Sequence, residues 1–278
     1  MSPRACPICG SQRTQSCGER AFNCNGCGLI FIMPLETERP EAIYDERYFK
    51  GGVYRDYFSE ESTMVDYFER KIRLIEKHLP VSGRVLDIGC AAGFFLKAMK
   101  KRGYEVSGMD ISECATRYAR ESLGVGITTG DITSASLPAD SFDIITMWDV
   151  LEHLRDPMVA IRQAHRSLKD TGTLVVETLN IDSLNFKLLG RRWPLWYPPY
   201  HITYFTEKAL SIGLKRGGFQ VSETYPIQIY AWQGRIFRHL GVPILKEILG
   251  SALDDVILVV AKKSSKNPPE DCVRCLAF

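Results

Sequence analysis

Three groups of residues in this chain have types and spacings that suit chemistry. The first is Cys6, Cys9, Cys24 and Cys27, arranged as two knuckles, Cys-Pro-Ile-Cys-Gly and Cys-Asn-Gly-Cys-Gly, with 14 residues between them. A glycine after the second cysteine lets backbone amides turn toward the sulfurs. Four thiolates make the closed tetrahedral set of a structural zinc ion. Two disulfides are the competing arrangement, and the lack of an apolar segment near Met1 argues against it. The second group is Asp149, Glu152 and His153 in the run Trp148-Asp149-Val150-Leu151-Glu152-His153. If a helical turn starts at Asp149, the three share one face. Three readings stay open: a capping box between Asp149 and Glu152, a general base at His153, or a divalent-metal site completed by a distant histidine. His201, in Tyr200-His201-Ile202-Thr203, is the candidate partner and a second candidate base. The third group is Asp87-Ile88-Gly89-Cys90-Ala91-Ala92-Gly93, an apolar run entering a glycine turn. Its D-x-G-x-x-x-G spacing is not the tight G-x-G-x-x-G that cradles a pyrophosphate. Asp110 follows 17 residues after Gly93, where a carboxylate accepts from two ribose hydroxyls. Asp131 follows the next apolar run and suits an exocyclic amine.

These groups need a frame. From Glu60 to Pro80, Met64, Tyr67, Phe68, Ile72, Ile75 and Leu79 recur at helical spacing. Strands are then expected over Arg84–Ile88, Glu105–Met109, Gly126–Thr129, Phe142–Trp148, Thr173–Thr178, Gln220–Tyr225 and Asp255–Ala261. Helices are expected over Phe94–Arg102, Ser112–Leu123, Pro157–Leu168 with Asp156 as N-cap, and Thr206–Arg216. Seven strands alternating with helices predict an α/β domain, a mostly parallel sheet with helices on both faces. The resulting division is a zinc ribbon over 1–35, a connecting segment over 36–59, the α/β domain over 60–263 and a flexible tail over 264–278. Insertions at 181–205 and 228–253 break the rhythm. The first is crowded with Trp193, Trp196, Tyr197 and Tyr200 and reads as a lid over a ring or lipid substrate. Cys17 reads as a spare loop thiol, and Cys272 and Cys275 lie in the tail.

The Asp87–Gly93 loop, Asp110 and the Trp148–His153 run, in that order, resemble the class I S-adenosylmethionine (SAM)-dependent methyltransferases. The resemblance spans about residues 64–263 and is strongest to the subgroup of ubiquinone-biosynthesis O-methyltransferases. It implies a Rossmann-like seven-stranded sheet. It also implies that Gly89, Cys90, Ala91 and Gly93 admit the methionine end of SAM and that Asp87 lies near its amino group. Asp110 and Ile111 would hold the ribose, Asp131 the adenine amine, and Trp148 would complete the cofactor set. In the same subgroup a histidine at the place of His201 faces the pocket. Small-RNA 2′-O-methyltransferases use an E-x-x-E-H run for metal; this chain has Asp149 at the first position. Related enzymes close over SAM with a segment like the one carrying Tyr44, Tyr48, Tyr54 and Tyr57.

Composition narrows the acceptor. The chain has 278 residues, 45% hydrophobic and 24% charged, enough for a sizeable core and unlike a disordered chain or coiled coil. No run approaches the length of a membrane span. Net charge is only +2, and residues 1–58 hold seven Lys or Arg against seven Asp or Glu. That balance offers no electrostatic footprint for nucleic acid. The expectation is a cytoplasmic enzyme methylating a small molecule, at an oxygen of a ring, sugar or lipid-linked intermediate. An RNA methyltransferase using its ribbon for binding ranks second, and a SAM-binding regulator without turnover third. Residues 232–249 alternate apolar and basic positions. They suit peripheral membrane contact, though packing on the sheet or a partner subunit explains the same pattern. Nothing in the sequence fixes the oligomeric state.

Overall fold

A computed structural model describes residues 4–35, 40–227 and 254–264. The 228–253 insertion, the proposed membrane surface within it and the tail beyond Ser264 lie outside the described residues. The first strands are β1 (Thr14–Gly18), β2 (Ala21–Cys24) and β3 (Ile30–Ile32). Two short helices, α1 (Pro40–Ile43) and α2 (Glu46–Phe49), lead to the long α3 (Glu61–Ile75). The alternating part follows as β4 (Arg84–Ile88), α4 (Phe94–Lys101), β5 (Glu105–Asp110), α5 (Glu113–Leu123), β6 (Ile127–Thr129), β7 (Phe142–Trp148), α6 (Pro157–Ser167) and β8 (Leu168–Leu179). The chain continues through α7 (Leu184–Leu189), β9 (Thr203–Tyr204), α8 (Glu207–Arg216), β10 (Phe219–Ile227) and β11 (Val256–Lys263).

The expected seven strands form one sheet in the order β10-β11-β8-β7-β4-β5-β6. Strands β8, β7, β4, β5 and β6 pair in parallel; β11 pairs antiparallel with both β8 and β10, so it alone runs against the other six. Caps fall where local chemistry puts them. Asp156 accepts from the Met158 and Val159 amides, with Pro157 at the first helical position. Ser112 and Thr206 cap α5 and α8 through their hydroxyls. The central strands bury both faces, so alternate residues enter different cores. Val85, Ile144, Val175 and Leu258 pack with α3, α4 and α5, whereas Leu86, Ile145, Leu174 and Val259 pack with α6 and α8.

The N-terminal, cysteine-bearing segment packs into the α/β domain. Its sheet takes a fourth strand, β9, from the 181–205 insertion, and Ile8, Leu29 and Phe31 share the core of α6 and α8. Cys17 lies in β1 and not in a loop. The insertion's aromatics are also mostly structural. Trp193 and Tyr204 are buried with Ala21, Ile32 and Leu179, and Trp196 stacks on Tyr204 at 4.4 Å. A stretch that pairs with β3 needs large apolar side chains of its own, and Leu195 and His201 of the same stretch line the cavity beyond the ends of β4 and β7.

Gly93 sits at the N-cap of α4 with φ of 77°. A Cβ there would meet Leu123 Cδ1 at 2.6 Å. Gly93→Ala should therefore lower stability by about 1–3 kcal/mol, through overpacking of α4 against α5 and the left-handed backbone. Urea unfolding measures this, and an unchanged midpoint would refute the packing role.

Candidate functional site

Strands β4 and β7 are neighbours, but the helices after them cover opposite faces of the sheet. Beyond their C-terminal ends a crevice must open, the place where ligands bind in open α/β sheets. A cavity of about 570 Å³ occupies it. Its floor is the β4–α4 loop (Asp87, Gly89, Cys90, Ala91), the end of β5 (Asp110, Ile111), Asp131, and Trp148 with Asp149 at the end of β7. Glu152, His153 and His201 line the same space, and Tyr44, Tyr48, Tyr54 and Tyr57 cover it. Of the sequence-predicted cofactor and catalytic residues, all but Gly93 line this space. Gly93 is not among the lining residues; it stands one step back, where α4 packs on α5.

The cofactor-side carboxylates are held firmly. The Ala91 and Ser112 amides donate to the two oxygens of Asp110 at 2.8 Å each. Each oxygen keeps a lone pair for a hydroxyl. Burial raises the Asp110 carboxyl, opposed by those amides. Asp87 is fully buried and accepts from Thr146 Oγ1 at 2.6 Å; burial pushes it well up. Asp131 accepts from the Thr133 amide at 2.7 Å. At Gly89 (φ 75°) a Cβ would strike Val150 Cγ2 at 2.4 Å, so the loops after β4 and β7 touch there and only glycine fits.

On the other side the capping reading fails. Asp149 has φ of 52°, in the left-handed region that side-chain-bearing residues rarely adopt. The short 3₁₀ turn begins two residues later, at Leu151, and no side chain caps it. Glu152 instead reaches across to β8, where Thr178 Oγ1 donates to its Oε2 at 2.8 Å. Its Oε1 is buried without a hydrogen-bond partner. The strand's last residues must turn sharply into the crevice, and that turn replaces the expected helix start.

Both histidines are fixed in one orientation. His153 Nδ1 lies 2.8 Å from the Tyr200 carbonyl, which can only accept, and 2.8 Å from the Tyr44 hydroxyl. His201 Nδ1 lies 2.8 Å from the Leu195 carbonyl. Nδ1 therefore carries the proton in each ring, leaving Nε2 as the acceptor when the ring is neutral. Burial lowers both imidazoles to about 4, with His153 adding to the shift at His201. The ring centroids are 4.9 Å apart. One ligand atom from each of Glu152, His153 and His201 falls within 4.8 Å of the others. That donor set, with an orphaned carboxylate oxygen, fits a divalent cation. In the N-terminal segment, one Sγ from each of Cys6, Cys9, Cys24 and Cys27 meets the same limit. Cys6–Cys27 and Cys9–Cys24 sulfurs are 3.6 and 3.5 Å apart. A tetrahedral site with Zn–S of about 2.3 Å needs sulfurs about 3.8 Å apart, so the cluster fits zinc.

Sequence reasoning missed the pair beneath the site. Lys71 and Glu177 form a buried ion pair, 5% and 1% exposed. The Lys71 ammonium also sits 4.1 Å from the Tyr67 ring centre and 5.1 Å from that of Trp148. Glu177 is raised to about 7 by burial, with Lys71 holding it down. The signals were a lysine on the apolar face of α3 and a glutamate inside the run Val175-Val176-Glu177. Removing one partner leaves the other buried and unpaired. Lys71→Met should cost about 3–5 kcal/mol in urea unfolding at neutral pH, and the Lys71→Met/Glu177→Leu double variant should recover most of it. The single-variant loss should shrink as pH falls and Glu177 takes up a proton.

Among described residues, no helix is long and apolar enough to cross a membrane. The methyltransferase domain family matches residues 61–224. The chain is 31% identical over 138 residues to a ubiquinone biosynthesis O-methyltransferase of Stutzerimonas stutzeri, covering 46% of this chain and 60% of that protein. It is 29% identical over 181 residues to the enzyme of the same name from Cereibacter sphaeroides, covering 60% and 73%. The chain thus spans less than two thirds of the length of the first of these relatives. A SAM-dependent methyltransferase from Mesorhizobium loti has the same fold, with a TM-score of 0.55 at 22% identity over 69% of this chain and 96% of that one. With its sheet order, its crevice and a family match over most of the α/β domain, the chain belongs to the class I SAM-dependent methyltransferases.

Proposed function

We propose that this protein transfers the methyl group of SAM to an oxygen of a small-molecule acceptor, a ring, sugar or lipid-linked intermediate. One observation carries the reading. The cavity has the Asp87–Ala91 loop and Asp110 on one side and two imidazoles held through Nδ1 on the other. SAM brings an activated methyl on a sulfonium, so the hard chemistry belongs to the cofactor. The chain has to position, exclude water and handle one proton. Asp110, with Ile111, suits the ribose, Asp131 the adenine amine and Asp87 the methionine ammonium. Tyr44, Tyr48, Tyr54 and Tyr57 line the same space and supply aromatic surface for an acceptor. As the acceptor oxygen bonds to the methyl carbon and the carbon–sulfur bond breaks, the hydroxyl proton passes to Nε2 of His153 or His201. Burial keeps both rings neutral at neutral pH, so neither arrives already protonated.

A second reading has a specific observation in its favour. Glu152, with its orphaned Oε1, and the two histidines would hold a divalent cation, which supplies charge stabilisation to an acceptor oxygen. Asp149 then supports from the adjacent wall. We further propose that the Cys6, Cys9, Cys24 and Cys27 cluster holds a structural zinc ion and that the partner of this protein is a small molecule. The near-neutral ribbon supports that over RNA.

Calorimetry should detect SAM binding, and Asp110→Ala should weaken it by about 100-fold or more. Lack of binding by the wild type overturns the proposal. With labelled SAM and fractionated extract, His153→Ala and His201→Ala should each slow turnover by about 10²–10⁴-fold while SAM affinity holds. If chelator treatment costs no activity, or Mn²⁺ fails to restore what it costs, the metal reading falls and the base reading stands. Unaltered rates in both variants would sink both readings.

A further inference from the structure

A closed four-thiolate zinc site takes no part in methyl transfer. The ribbon it folds nevertheless reaches the acceptor side of the cavity. β3 pairs with β9, with Ile30 opposite Tyr204 and Phe31 opposite Thr203. One residue further, the Ile32 amide donates to the Ile202 carbonyl at 2.7 Å. Ile202 follows His201 directly. Its own amide donates to the Glu152 carbonyl at 2.8 Å, and Thr203 Oγ1 donates to the Leu154 carbonyl at 3.2 Å. Segment 201–204 is therefore held between the ribbon on one edge and the turn carrying Glu152 and His153 on the other. The second knuckle grips the next turn of chain as well. Thr206 Oγ1 donates to the Cys27 carbonyl at 2.8 Å, and Lys208 Nζ to the Gly26 carbonyl at 2.8 Å. A two-residue strand such as β9 has no stability of its own and takes its position from its partner.

We propose that the ribbon is an internal brace for the acceptor site. Its zinc-folded third strand sets the backbone of residues 201–204, and through it the His153–His201 pair. Zinc loading then governs the acceptor half of the cavity and leaves the cofactor half, built on β4 and β5, unchanged. This rests on the reading above, in which the two histidines face the acceptor. The ribbon's contribution is positional: no cysteine touches substrate or cofactor.

The test compares full-length protein in three forms: zinc-loaded, zinc-stripped with the loss verified by elemental analysis, and Ile32→Pro. The last removes the amide that holds Ile202 and keeps all four cysteines. The readouts are SAM affinity by calorimetry, the Nδ1–H tautomer signatures of His153 and His201 in histidine-resolved ¹⁵N NMR, and acylation of each histidine by diethylpyrocarbonate, read by mass spectrometry. The brace predicts SAM affinity within about threefold in all forms. It also predicts loss of the single His201 tautomer and about tenfold or faster His201 acylation in the stripped and Ile32→Pro forms. Unchanged histidine signals in verified zinc-free protein overturn it. So does a parallel collapse of SAM binding in either form, which would make the ribbon a prop for the whole fold. Zinc-loaded protein that binds no SAM refutes the methyltransferase reading instead, while the histidine signals still decide the brace.

Discussion

The site depends on one topological constraint. β4 and β7 lie side by side and parallel, but the chain leaves them toward opposite faces of the sheet. No helix can cover the gap where they part, so a crevice is unavoidable. The candidate cofactor contacts gather along its two rims and at the ends of the neighbouring β5 and β6. The rims also touch, since Gly89 meets Val150 too closely for any side chain at that position. The Asp149 backbone, turned into the left-handed region, is a consequence of the same crowding: β7 must stop and bend before the crevice is filled.

Charge is the second organising feature. Asp87 and Glu152 are buried, Asp110 is half-buried and Asp149 is exposed to the same cavity, and loss of water around each raises its carboxyl. Such a group of carboxylates gains from any cation that enters, whether a sulfonium or a divalent ion. Lys71 beneath Trp148 moderates this from below, and its ion pair with Glu177 ties α3 to β8 under the site. Tyr44, Tyr48, Tyr54 and Tyr57 line the same cavity with aromatic surface, and the Tyr44 hydroxyl lies 2.8 Å from Nδ1 of His153, a candidate base.

The small N-terminal module belongs to this scheme through packing. Ile8, Leu29 and Phe31 are buried against α6 and α8, and β9 completes the ribbon sheet. A sheet edge that would otherwise face solvent is thereby used to order the irregular 181–205 insertion. The tryptophans of that insertion are spent on this internal joint, and the aromatic wall of the cavity comes from the segment before α3.

Much of this was legible in the sequence because it is local. Period-two and helical patterns gave the seven strands and main helices, since both sheet faces and each helix stripe must be apolar. Asp156-Pro157, Ser112 and Thr206 marked helix starts through short-range hydrogen bonds. The Asp87–Gly93 loop and the two cysteine knuckles carried their chemistry within a dozen residues each. What the sequence could not decide was set by contacts between distant segments. Glu152 bonds Thr178 and not Asp149, because β7 bends and β8 lies alongside it. Gly93 answers to Leu123 and not to the cavity, because α5 crosses α4 there. Lys71 finds Glu177 from 106 positions away, and the ribbon finds β9 across more than half the chain. Each is a choice among partners that only the packed sheet brings within reach, so residue types and spacing alone left them open.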